Sequence, residues 1–263
     1  VGCASSSMAR QKQGGFEMRE LDLFTGEPGE EQVYSKIIPV SVVDIFSQEK
    51  REKQNHAQKS SRQTYSPFPT EISDLCYELY LKDCDAIADP FAGWGERHSK
   101  AKEFHKAYTG FDTSQAALDN ALKEYEVINF LGDSRIVEVP DHNGLITCPP
   151  YWNLEKYEGK GIDKIPTWNE FIKSMETIFG RFYEKADSGS IYCVMVGDWR
   201  KDHKYYDLDY QISKIFNSLG AEPIDKIICN RKIISKIKIM IPQARRLGYT
   251  VRVHENLSVF KKP

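Results

Sequence analysis

The chain has 263 residues, 40% of them hydrophobic and 28% charged, with a formal net charge of −2. That length builds one large core, or one domain with an appended arm, and the balance is ordinary for a globular protein. No window approaches the roughly 18 uninterrupted apolar residues of a bilayer span, and the near-neutral charge means that any affinity for nucleic acid must come from a local patch.

The first residues, Val1 to Gly15, are small and polar and lack the apolar core of a secretory signal. Residues 1–33 read as a flexible tail and 34–64 as an N-terminal arm. The arm holds the apolar stretch Ile37-Ile38-Pro39-Val40-Ser41-Val42-Val43 and a charged run from Gln48 to Arg62. Residues 65–263 follow the pattern of an α/β domain. A helix is expected over Thr70–Leu81, with Ile72, Leu75, Cys76 and Leu79 at helical spacing. Then come a strand at Ala86–Ala88, a glycine turn at Pro90–Gly95 and a helix reaching His105. A strand at Ala107–Phe111, a helix at Ser114–Tyr125 and strands at Val127–Leu131 and Gly144–Thr147 follow. The remainder reads as a helix (Thr167–Ala186), a strand (Ser190–Val196), a helix (Leu208–Leu219) and two strands (Ile224–Asn230 and Thr250–Phe260). Strands alternating with helices predict a doubly wound, mostly parallel sheet, closed by an antiparallel edge hairpin.

Asp89, Asp112, Asp133 and Thr147-Cys148 all fall at or just after strand ends, which places them along the rim where ligands of open α/β sheets bind. In Asp89-Pro90-Phe91-Ala92-Gly93-Trp94-Gly95, the glycines admit close backbone approach and the next helix N-terminus adds partial positive charge. Glu96 would repel a pyrophosphate there, so a cofactor with a zwitterionic amino-acid end fits better than a dinucleotide. Asp112 is positioned to accept ribose hydroxyls; as a lone strand-end acid it reads equally as a helix cap.

Thr147-Cys148-Pro149-Pro150-Tyr151-Trp152 carries the strongest signal. Two prolines stop a central strand and fix an extended loop whose carbonyls can hold an amino group by its hydrogens. Tyr151 offers a flat face for an extruded base. The plainer reading is a rigid turn with a core aromatic.

These residues, in the order Ser66-Pro67-Phe68-Pro69, Asp89-Pro90-Phe91-Ala92-Gly93 and Cys148-Pro149-Pro150-Tyr151-Trp152, resemble the amino-type DNA methyltransferases. A phage- and prophage-like branch is closest. Pro39-Val40-Ser41-Val42, Gly132-Asp133-Ser134, Leu154-Glu155-Lys156-Tyr157, Val196–Arg200 and His254–Phe260 agree with it, so the resemblance covers about 36–262. It implies a Rossmann-like class I methyltransferase fold using S-adenosyl-L-methionine, with no metal. It puts Phe68, Thr70, Asp89, Phe91, Ala92, Gly93 and Gly95 around the methionine part of the cofactor, Asp112 on the ribose and Asp133 on the adenine. Cys148, Pro149, Pro150 and Tyr151 form the amino-group clamp, with Cys148 also against the cofactor.

Cys148 departs from the family pattern, which has Asp or Asn there in adenine-N6 enzymes and Ser in cytosine-N4 enzymes. A thiol accepts hydrogen bonds weakly. The trailing Trp152 leans toward cytosine N4 and is assigned to DNA contact. The cysteine-nucleophile chemistry of cytosine-C5 enzymes is disfavoured, because Cys148 precedes the prolines and no Pro-Cys dipeptide exists. Cys3, Cys76, Cys84, Cys148, Cys193 and Cys229 form no C-x-x-C pair, and all but Cys148 read simply as reduced thiols in a cytoplasmic protein, of the bacterial host if phage-encoded.

From Lys226 to Arg252 there are eight basic residues and no Asp or Glu. Arg231, Lys232, Lys236, Lys238, Arg245 and Arg246 are assigned to the phosphates of double-stranded DNA; a lysine-blunted edge strand is the alternative. The inserts available for target recognition, 153–166, 199–206 and 231–249, are short. They predict a short or degenerate target, and a homodimer is one way to supply the rest. RNA or protein methylation, and a degenerate fold kept for DNA binding, are the competing readings.

Overall fold

The computed structural model describes residues 39–45, 68–154, 159, 161–231 and 235–263. The expected tail, most of the arm, Ser66-Pro67, Glu155–Tyr157 and Lys232 lie outside the described residues. Strand β1 (Val42–Ile45) comes first. Helix α1 (Thr70–Leu75) runs into a wide π-helical turn at Cys76–Tyr80, where the Leu81 amide reaches back to Cys76 O at 2.8 Å. Next are β2 (Ala86–Asp89), α2 (Glu96–Glu103), β3 (Ala107–Asp112), α3 (Gln115–Tyr125), β4 (Phe130–Leu131) and β5 (Gly144–Thr147). Then follow α4 (Trp168–Lys185), β6 (Ile191–Val196), β7 (Trp199–Lys201), β8 (Lys204–Tyr206), α5 (Leu208–Ser218), β9 (Glu222–Arg231), α6 (Ser235–Leu247) and β10 (His254–Lys261).

The main sheet has the order β1-β9-β10-β6-β5-β2-β3-β4. Its central strands are parallel and buried on both faces, so β5 and β6 are nearly continuous apolar runs rather than alternating ones. Helix α4 buries Phe171, Met175, Ile178, Phe179 and Phe182 at helical spacing, with Thr167 capping the amide of Glu170. Phe216 of α5 links that face to the sheet, 5.1 Å from Phe179 and 4.5 Å from Phe260 by ring centroids.

Every strand and helix expected in the domain is present, with differences at the ends that have local causes. β4 shortens to two exposed residues at the sheet edge. The terminal pair β9–β10 is antiparallel as expected, but it is not the edge: β10 lies between β9 and β6, and β1 pairs in parallel with β9 outside it. Strand β1 was not expected, since its residues read only as an apolar stretch in the arm, and a hairpin and a helix within the domain were not expected either. The β7–β8 hairpin turns through Asp202 and His203, both at positive φ, the geometry of a two-residue hairpin turn. Helix α6 forms despite Pro242 within it and stops before Gly248, at φ +69°.

Gly144 starts β5 with no room for a side chain: a Cβ there would lie 2.7 Å from Ile87 Cδ1 and 3.0 Å from Cys84 Cβ. We expect Gly144→Ala to lower unfolding free energy in urea by about 1–3 kcal/mol through overpacking. An unchanged midpoint would contradict the tight contact.

Candidate active site

The strand ends β2, β3, β5 and β6 meet around one cavity of about 330 Å³. Its frame is set by Asp89, fully buried at the end of β2. Oδ1 accepts the Phe91 amide at 2.9 Å and the Thr147 hydroxyl at 2.5 Å. Oδ2 accepts Arg97 Nε and the Tyr108 hydroxyl, both at 2.6 Å. Burial acts to lower the Arg97 pKa, but Asp89 more than offsets it and holds the guanidinium above its ordinary value. Arg97 also donates to Phe91 O at 2.5 Å and lies 4.7 Å over the Phe68 ring, so it clamps the glycine turn from beneath.

On one wall, Asp112 ties the turn to the start of α3. Its oxygens accept the amides of Gly93 at 2.8 Å and Ser114 at 2.9 Å. Burial raises its pKa, and those two amides work against the rise. Ser114, not Asp112, caps α3, accepting from the Ala117 amide at 3.3 Å. Phe68, Phe91, Gly93, Asp112 and Asp133 line the cavity. The Asp133 carboxylate is held by Arg135, which keeps its pKa below the ordinary value.

On the opposite wall stand Cys148, Pro149, Pro150 and Tyr151. Tyr151 stacks on Trp199 at 6.0 Å and 18° and donates its hydroxyl to Glu255 Oε1 at 2.8 Å. Arg231 reaches the same oxygen at 2.6 Å. Cys148 sits half-buried, its Sγ 3.9 Å from the Tyr151 hydroxyl. Desolvation by the surrounding protein, reinforced by the Glu255 charge, pushes its thiol up to about 12. The Arg97 and Arg231 charges act in the opposite direction without overcoming that rise, so the thiol keeps its proton.

The structure does not bring every expected residue to the cavity. Thr70, Asp89, Ala92 and Gly95 are absent from its lining. All four donors on Asp89 come from the protein itself. Gly95 serves packing, since a Cβ there would lie 2.8 Å from Ala121 Cβ. The assignment of Trp152 to DNA contact is corrected. It is 7% exposed, donates its indole N–H to Ile165 O at 2.8 Å and packs against Trp168 and Tyr206, so no surface remains for a base. With it goes the argument from Trp152 for cytosine N4. The basic segment divides. Lys226 pairs with Asp209 at 2.7 Å, Arg231 with Glu255, and Arg252 with Asp198 at 3.6 Å, acids supplied by other parts of the fold. Arg231 thus belongs to the cavity wall rather than to a phosphate-facing patch. Lys238, Arg245 and Arg246 are exposed on α6, which also carries Lys236; this part of the segment is a helix and not an edge strand.

Sequence reasoning missed Arg97, Trp199 and Glu255. Arg97, in the first turn of the helix after the glycine turn, was the most findable: a buried strand-end Asp needs a cation within reach. Among the described residues there is no cluster that could hold a metal ion, and no helix is long and apolar enough to cross a membrane.

No protein-family model and no curated protein matches the sequence. Solved structures do. The N-methyltransferase NodS from Bradyrhizobium japonicum WM9 matches with TM-score 0.51 and 12% identity over 73% of this chain and 95% of that one. NodS in complex with S-adenosyl-L-homocysteine matches with TM-score 0.50 and 12% identity over 82% and 97%. TrmN from Thermus thermophilus matches at 0.49 and 10% identity over 74% of this chain, which spans about half (49%) of TrmN. The protein has the Rossmann-like class I methyltransferase fold, a mostly parallel sheet flanked by helices.

Two outcomes follow from this geometry. Asp89→Asn should cost about 3–5 kcal/mol in urea unfolding, because it leaves the buried Arg97 charge without its partner; a loss under about 1 kcal/mol would contradict that role. At pH 8 the Cys148 thiolate fraction should be about one part in 10⁴, rising tenfold per pH unit toward 12. Alkylation by iodoacetamide, followed on the Cys148 peptide by mass spectrometry, should then be far slower than for a free thiol; a comparable rate would contradict it.

Proposed function

We propose that the protein is an S-adenosylmethionine-dependent methyltransferase acting on an exocyclic amino group of a DNA base. The observation that carries this reading is one cavity with two unlike walls: the Gly93–Asp112 turn on one side and Cys148-Pro149-Pro150-Tyr151 on the other.

The cofactor wall fits S-adenosylmethionine. Each Asp112 oxygen holds a single backbone amide and keeps a further lone pair for a ribose hydroxyl. Gly93 has space around it, the nearest atom to an added Cβ being Arg97 Nη2 at 3.8 Å, so backbone can meet the ligand there. A cofactor held by these residues would supply an electrophilic methyl group on a sulfonium, with the neutral thioether as leaving group.

The chain's own work is positioning. Proline carbonyls hold the amino group and turn its lone pair toward the methyl. Tyr151, braced by Trp199 and Glu255, provides the platform for a base taken out of the stack. A neutral Cys148 adds no nucleophile, which favours the amino group over the ring carbon. The exposed Lys238, Arg245 and Arg246 on α6 supply phosphate contacts near the end of β9.

Labelled S-adenosylmethionine incubated with unmethylated duplex DNA, RNA or a peptide mixture, followed by digestion, tests the reading. Label is expected in N4-methyldeoxycytidine or N6-methyldeoxyadenosine, which also identifies the base; label confined to RNA or peptide overturns it. Tyr151→Ala should lower kcat by about 100-fold while cofactor affinity stays within about threefold. Equal losses in both would remove the stacking role.

A further inference from the structure

Glu255 carries more than its two hydrogen bonds explain. It projects from β10 into the cavity wall and is 5% exposed. Both of its partners use one oxygen: the Tyr151 hydroxyl and Arg231 Nη2 each donate to Oε1. Oε2 is buried and, among the described residues, accepts no hydrogen bond. A buried carboxylate oxygen left without a donor is costly, and on a residue that lines a cavity it points to a donor that arrives with a ligand.

The neighbouring residue supplies the other half of the argument. An exocyclic amino group presents two hydrogens, so holding it with its lone pair aimed forward takes two acceptors. The proline loop offers carbonyl oxygen, but the side chain at 148 is a thiol, a weak acceptor that keeps its proton. The second acceptor is missing from the loop, and the Tyr151 hydroxyl, 3.9 Å from the thiol, leads to one on another strand, donating to the Glu255 carboxylate at 2.8 Å.

We propose that Glu255 is a catalytic residue whose Oε2 accepts a hydrogen of the substrate amino group, filling the acceptor position that Cys148 leaves open. This rests on the amino-group reading above. The nitrogen that gains the methyl group takes on positive charge and must lose one of its two protons. The adjacent carboxylate stabilises that charge, takes the proton on Oε2 and releases it to solvent through the cavity, so the charge balances and no further reactant is needed.

Glu255→Gln is a selective test. The Tyr151 hydroxyl and Arg231 both donate, so they hold the amide oxygen in the place of Oε1, and the NH2 falls where Oε2 was. The acceptor becomes a donor while the wall keeps its shape. Methylation of unmethylated duplex DNA should fall by about 100-fold or more in kcat, with KM for DNA and affinity for the cofactor within about threefold. Adding Cys148→Asn supplies a carbonyl acceptor from the loop, and the double variant should recover at least about tenfold. A Glu255→Gln variant with wild-type kcat overturns the proposal. So does a variant that loses cofactor binding in parallel and is not rescued, since that is a purely structural role.

A second measurement separates this inference from the choice of DNA as substrate. By saturation-transfer NMR, wild type should bind deoxycytidine over deoxyuridine, or deoxyadenosine over deoxyinosine, and Glu255→Gln should lose that preference. Retained preference in the variant overturns Glu255 as the acceptor. Preference lost with the variant, but no DNA labelling by wild type, upholds Glu255 and removes only the DNA assignment.

Discussion

The site depends on one buried carboxylate. Asp89 joins three pieces of backbone that no sheet hydrogen bond connects: the glycine turn through Phe91, helix α2 through Arg97, and the end of β5 through Thr147. The last of these immediately precedes Cys148. The distance between the glycine turn and the proline loop is therefore set by two contacts to the same carboxylate. In a fully buried setting each contact is strong, and each is expensive to leave unmade.

The opposite wall follows the same logic with a different outcome. Glu255 fixes the Tyr151 ring through its hydroxyl, and burial together with the neighbouring Cys148 and Glu255 raises the Tyr151 pKa, so the phenol stays a donor. Its charge also helps keep the Cys148 thiol protonated. The residue that looks most reactive in the sequence is thereby made inert, and the polar role in that corner passes to a side chain 107 positions away.

Much of the rim was readable in the sequence because strand ends, glycines and prolines are local features. Asp112 and the Cys148–Tyr151 loop needed only the alternation of strands and helices to be set side by side. Asp89 was read to the rim, but a strand-end Asp looks the same whether it meets a ligand or an arginine eight residues on. Trp152 failed for a similar reason: an aromatic after a proline loop carries no sign that its N–H is taken by Ile165 O. Glu255 sits in the His254–Phe260 segment that the resemblance picked out, but it lies 104 residues from Tyr151 and nothing local marked that contact. Helix α6 was hidden by its own residues, since Ile237, Ile239 and Ile241 alternate at strand spacing and Pro242 argues against a helix.

Strand β1 has a consequence for how the protein tolerates being cut. It pairs Val42–Ile45 along Ile228–Arg231 and so covers the outer side of β9, the strand that carries Arg231 into the cavity wall. Without those four residues, β9 would present a row of unpaired amides and carbonyls next to the half-exposed Ile224 and Ile228, an invitation to pair with another chain. A short strand from the beginning of the sequence thus acts as the sheet's selvedge, and the shortest self-contained version of this domain starts before it rather than at the first helix.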